Sequence, residues 1–265
     1  MNYLDELQAS LSACDEQILE CLIKRNEIAE DIIKYKKTHN MQILQPEQEE
    51  RQMQKLKEET EGRKHAMEVM DVFKCITYSS RKIQARHLFH YNIVLIGFMG
   101  SGKSTISDYL SKMFAMETVE MDRIISEREG MSISDIFDVH GEEYFRNLET
   151  NLLIEMQSKS NVVISCGGGT PMRERNVAEM KKNGRVVLLA ASPETIYERV
   201  KDSHDRPLIE NHKNVPYISQ LMEKRREKYE AAADIRIETD GKDKLAVCEE
   251  LVQRLLEMDR PGGLK

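Results

Sequence analysis

Glycine divides this 265-residue chain into two stretches that cannot share a fold class. Of the 13 glycines only Gly62 precedes residue 97, and of the six prolines only Pro46 falls within the first 170 residues. A stretch so poor in breakers, and rich in Glu, Lys, Gln, Leu and Met, favours helix throughout. Beyond residue 90 the apolar residues gather into short runs at 92–98 (NIVLIGF), 161–165 (NVVIS), 185–190 (RVVLLA) and 235–239 (IRIET). Long helical patterns separate these runs, which is the alternation of a buried parallel sheet. The boundary is placed near residues 87–91. An all-helical domain over residues 1–88 and an α/β domain over residues 91–265 are expected.

Within the first stretch, positions 4, 7, 11, 14, 18, 21, 25, 28, 32 and 35 follow an unbroken 3-4 spacing. They read Leu, Leu, Leu, Cys, Ile, Cys, Arg, Ile, Ile, Tyr. Such a stripe packs one long helix against another, and a rod of about 50 Å must fold back or pair with a second chain to cover it. Arg25 interrupts the stripe with a charge and is expected to meet an anion there, as an unpaired buried cation costs several kcal/mol. The blander alternative is a salt bridge to a neighbouring Glu or snorkelling to the rim. Pro46 starts a second helix of about 15 residues that ends near Gly62. A third helix is expected over residues 64–86, with Ser80 and Gln84 sharing one face.

The second stretch opens on a sharper signal. Residues 97–104 read GFMGSGKS, the G-x-x-x-x-G-K-[ST] pattern, placed after an apolar run and before a helical pattern from Thr105. Gly97, Gly100, Ser101, Gly102, Lys103, Ser104 and Thr105 are thus candidate phosphate-binding positions. Glycines let backbone N–H groups turn toward phosphate oxygens at a helix N-terminus whose dipole favours anions. Lys103 would pair with the β- and γ-phosphates and Ser104 would ligate magnesium. The Asn-Lys-x-Asp base-reading pattern of GTPases does not occur. Asp122 follows about 20 residues later, where a second strand should end and a carboxylate would overlie the ligand crevice. Then come FRNLE (145–149), SCGGGT (165–170), DRPLI (205–209) and KRREKY (224–229).

Composition narrows the class. The net charge is −7, shared as −2 and −5 between the two stretches, and no basic stripe points to nucleic acid. No apolar run approaches the roughly 18 residues of a membrane span. The five cysteines include no CxxC pair, so a cytoplasmic protein with reduced thiols is expected.

The first 88 residues resemble the small all-helical chorismate mutases, whose subunits interlock as dimers through a long first helix. The likeness rests on LSACDEQILECLIKRNEIAEDIIKYK, PEQEE and SSRKIQ. It implies that Arg25 and Lys36 grip substrate carboxylate and ether oxygen. Glu49 would bind the ring hydroxyl, Gln84 the ether oxygen, and Ser80 would line the pocket. Where that family has arginines in the first and second helices, this chain has Gln8 and Gln48, and Gln45 replaces an aspartate. Glutamine brings no charge and no bidentate fork, so weak conversion of chorismate to prephenate is expected. A second reading makes this domain a non-catalytic dimerisation or product-sensing module that regulates the rest.

Residues 91–255 resemble shikimate kinase, and FRNLE, GGG and RPL favour it over gluconate kinases of the same loop. The resemblance implies an α/β P-loop kinase fold with a parallel sheet, with ATP and shikimate as substrates and Mg2+ as cofactor. Asp122 takes the place that orients the acceptor hydroxyls and accepts the proton. Arg146 and Arg225 would hold the shikimate carboxylate, with Gly168 and Gly169 supplying backbone contacts. Arg206 would close onto the transferring phosphoryl and Arg199 would lie against adenine. Glu120 and Ser165 would order the magnesium through water.

Overall fold

The computed structural model describes residues 2–202 and 214–260. The chain forms two compact units, Met1–Leu88 and Phe89–Lys265.

The first unit holds three helices, α1 (Tyr3–Thr38), α2 (Pro46–Thr60) and α3 (Ala66–Leu88). A capping box starts α1: the Asn2 side chain accepts from Asp5 N at 2.9 Å, and Asp5 Oδ2 accepts from Asn2 N at 2.8 Å. Pro46 occupies the first turn of α2, where its missing N–H costs nothing. The third helix begins two residues later than expected because His65 adopts a left-handed φ of 62°. Ala29 and Ile33 are the buried residues of α1, which packs against α3 through its C-terminal half. Residues 2–21 are exposed throughout, so the apolar stripe lies open at Leu4, Leu7, Leu11 and Ile18.

The second unit is a five-stranded, all-parallel sheet of order β2-β3-β1-β4-β5. Its strands are β1 (Asn92–Ile96), β2 (Glu117–Glu120), β3 (Val162–Ser165), β4 (Gly184–Ala190) and β5 (Ile235–Glu238). Central β1 is buried at every residue, which is why it reads as one apolar run. The edge strands alternate, as IRIE in β5 shows. Among the described residues eight helices accompany them: α4 (Lys103–Phe114), α5 (Met121–Glu129), α6 (Ile133–His140), α7 (Glu142–Met156), α8 (Glu174–Lys182), α9 (Pro193–Val200), α10 (Val215–Ala232) and α11 (Lys244–Met258). Register pairs Leu95 with Ser165 and Ser165 with Glu120, which brings the carboxyl ends of β1, β3 and β2 to one edge. The core under that edge contains Val94, Ile96, Ile164 and Leu188. Among the described residues no helix is long and apolar enough to cross a membrane.

Candidate functional site

The loop after β1 turns back on itself through Gly97 (φ 149°), Gly100 (φ 76°) and Gly102 (φ 98°). Gly102 is the left-handed N-cap of α4, so the helix begins at Lys103, two residues before the expected Thr105. A Cβ at Gly97 would collide with the Leu189 carbonyl on β4, and one at Gly100 would sit 2.7 Å from Val200 Cγ1. The loop therefore needs glycine for both backbone shape and room.

Lys103 Nζ donates to the loop's own carbonyls, Gly97 O at 3.0 Å and Phe98 O at 3.1 Å. Ser104 Oγ donates to Glu120 Oε2 at 2.9 Å. Ser101 is buried, and among the described residues its hydroxyl has no hydrogen-bond partner. Arg199 on α9 bridges the loop to the end of β5, donating to Gly100 O at 3.1 Å and to Thr239 Oγ1 at 3.2 Å.

Asp122 corrects one expectation. The strand ends at Glu120, and Asp122 lies in the first turn of α5, exposed to solvent. It faces the glycine run after β3: a Cβ at Gly167 would lie 2.5 Å from Asp122 Oδ1 and 3.2 Å from Glu149 Oε1.

The loop residues Gly100 to Thr105 with Glu120, Asp122, Ser165, Gly168 and Arg199 line a single cavity of 490 Å³. Gly97, Gly169, Arg146 and Arg225 are not in its wall. Arg146 on α7 instead packs against Gly169, where a Cβ would sit 2.7 Å from its Nη1. It donates to Glu149 Oε2 at 2.9 Å and to Glu142 Oε1 at 2.9 Å. Burial pulls its pKa down, but these two carboxylates outweigh that and hold it above the ordinary value. Burial pushes the Glu149 carboxyl up, and Arg146 opposes the shift. Arg225 on α10 stacks its guanidinium over Phe98, 6.0 Å from the ring centroid. Tyr229, pushed up to about 12 by burial, donates to Gly168 O. Arg206 lies outside the described residues.

Several residues at this site escaped the sequence reading. Glu149 could have been found, since it lies three residues after Arg146 on the same helical face. Lys242, Lys244 and Val247 also line the cavity, but nothing in their local pattern marks them. Cys166 also lines the cavity, and burial pushes its thiol well above the usual range, which leaves it a poor nucleophile.

Residues 99–256 match the family model for shikimate kinase. The chain belongs to the shikimate kinase family. A shikimate kinase of Persephonella marina is 42% identical over 164 residues, 62% of this chain and 98% of that protein. One from Dehalococcoides mccartyi is 41% identical over 172 residues, 65% of this chain and 97% of that protein. Among solved structures, the Acinetobacter baumannii shikimate kinase in complex with shikimate superposes with a TM-score of 0.60 at 30% identity, covering 64% of this chain and 94% of that one. The Aquifex aeolicus enzyme gives 0.56 at 40% identity, covering 65% and 99%. Residues 7–85 match chorismate mutase type II. The chain is thus a shikimate kinase fused behind a chorismate mutase type II domain.

In that domain the residues singled out from sequence are only partly joined. Arg25 meets no carboxylate among the described residues; its Nη1 donates to the neutral Ser80 Oγ. Lys36 Nζ donates to Ile43 O at 3.2 Å, and Gln84 is half-buried on α3. Glu49 accepts two hydrogen bonds from Arg81, which the sequence reading overlooked. Gln8 and Gln48 are exposed. Seventeen residues of helix set Gln8 about 25 Å from Arg25 within one chain.

Proposed function

We propose that the cavity at the carboxyl edge of the sheet binds Mg·ATP beside shikimate and moves the γ-phosphate to the shikimate 3-hydroxyl. The observation that carries this assignment is a single cavity lined by Lys103, Ser104, Asp122, Gly168 and Arg199. Lys103 exchanges its two loop carbonyls for phosphate oxygens, which present more negative charge. Asp122 orients the acceptor hydroxyl and takes its proton. Arg146 and Arg225 hold the acceptor carboxylate beside Gly168 and Gly169, and Arg199 lies against adenine. Catalysis is positioning plus charge stabilisation.

Magnesium fits the residues present. Ser104 and Glu120 bring a hydroxyl and a carboxylate within 2.9 Å of each other next to the phosphate loop, a hard oxygen set. Ser104 would ligate the ion directly, with Glu120 and Ser165 acting through water. When bound, the ion neutralises charge on the β- and γ-phosphates. Shikimate-dependent ADP release by the full chain tests the assignment, with chelation of Mg2+ expected to abolish it. ADP release that ignores shikimate would overturn it.

For the helical domain the same reading is a homodimer with weak chorismate-to-prephenate activity. The open stripe over the first half of α1 supports pairing, and the distance of Gln8 from Arg25 supports a pocket completed by the second copy. Cytoplasmic residence accords with five cysteines that form no disulfide. Loss of chorismate absorbance on adding the full chain is the direct test of the activity.

A further inference from the structure

Behind Arg146 runs a ring of buried polar groups. Arg146 Nη1 donates to Glu149 Oε2 at 2.9 Å, and the other oxygen of Glu149 accepts from Thr170 Oγ1. Asn176 Nδ2 donates to Thr170 O at 3.1 Å. Thr150 Oγ1 lies 2.5 Å from Asn176 Oδ1 and 2.8 Å from Arg146 O, so its one proton is shared between two acceptors and closes the ring. Glu149, Thr150, Thr170 and Asn176 are all at most 1% exposed. The ring joins α7, α8 and the short 3-10 turn Thr170–Met172.

Two features separate this ring from a cluster that merely holds segments together. It begins on a guanidinium that rests against Gly169, and Thr170 directly follows the glycine run. Thr170 N donates to Gly167 O at 3.1 Å, so the same residue grips the loop with its backbone and Glu149 with its side chain. Both oxygens of Glu149 are engaged, one by the arginine and one by the threonine. Loss of the Thr170 hydroxyl would strand a buried carboxylate oxygen, and the carboxylate would turn to satisfy it. Arginine carries considerable rotamer freedom, which a fixed carboxylate removes before any ligand arrives.

We propose that Thr170 and Asn176 are positioning residues that aim Arg146 at the carboxylate of the acceptor and thereby set acceptor affinity without setting nucleotide affinity. The proposal rests on the assignment of Arg146 to the shikimate carboxylate made above.

The test uses the full chain and measures KM for shikimate and for ATP, with a thermal melt of each variant. Thr170→Val should raise the shikimate KM about tenfold while the ATP KM stays within about twofold. Thr170→Ser, which keeps the hydroxyl, should restore the shikimate KM to within about threefold of native. Asn176→Ala should behave as Thr170→Val does. Thr150→Val, on the far side of the ring, is the milder change and should raise the shikimate KM about threefold, which keeps the proposal testable where Thr170→Val does not fold. A lowered melting temperature with both KM values unchanged, or with both raised alike, would overturn the positioning role. Arg146→Lys is the control: an unchanged shikimate KM there would instead overturn the carboxylate assignment.

Discussion

The first half of α1 offers the most direct test of assembly. Leu11 and Ile18 are 63% and 55% exposed in a single chain, on a stripe whose spacing suits helix pairing. Full burial of such a side chain stabilises by about 1.5–3 kcal/mol, so covering the exposed part is worth about 1–1.5 kcal/mol. A symmetric dimer contains each residue twice, and four such side chains contribute about 4–6 kcal/mol. Leu11→Glu combined with Ile18→Glu should therefore weaken dimerisation by about 10³–10⁴ at least, since buried glutamates add a desolvation cost. Both positions are solvent-facing in the isolated chain, so the helix itself should survive. Sedimentation of the full chain at micromolar concentration should give a dimer for the native protein and a monomer for the variant, with shikimate phosphorylation retained. A native monomer, or a variant that still sediments as a dimer, would refute the reasoning.

Three further outcomes are expected. Lys103→Ala should lower turnover at least about a thousandfold, roughly 4 kcal/mol, and a thermal melt should show whether the loop tolerates losing the bonds to Gly97 O and Phe98 O. Asp122→Asn should keep ATP binding, measured by calorimetry, while abolishing phosphorylation; retained phosphorylation would remove Asp122 as the base. Chorismate turnover should be weak in the native chain, by about 10²–10⁴ if two charged hydrogen bonds of roughly 1.5–3 kcal/mol are missing. Gln8→Arg with Gln48→Arg should raise it more than either change alone, and a drop would show that other groups supply those charges.

What the sequence disclosed follows from how local each signal is. The loop at 97–104 is read within eight residues, and the helix breaks at Pro46 and Gly62 are equally local. Glu117–Glu120 was harder to delimit, because an edge strand that alternates exposure has no apolar run. The partners of charged residues were least legible. Arg25 was expected to meet an anion and meets Ser80, 55 residues away, while Glu49 was expected to be available to a ligand and is engaged by Arg81 across two helices. Such pairings depend on how helices pack, which the 3-4 spacing does not specify.

The glycine run after β3 also limits how this loop can diversify. None of Gly167, Gly168 and Gly169 has a left-handed φ, so the backbone alone would accept alanine at each. What differs is the neighbour. A methyl at 168 makes only ordinary contacts, 3.7 Å from Tyr229 Oη, whereas at 167 it meets Asp122 and at 169 it meets the Arg146 guanidinium. A side chain at 167 would push Asp122 Oδ1 aside and one at 169 would push the Arg146 guanidinium aside, so either would displace a group assigned above to the acceptor. At 168 the limit comes instead from the cavity, because that glycine forms part of its wall and a side chain there would take up ligand space.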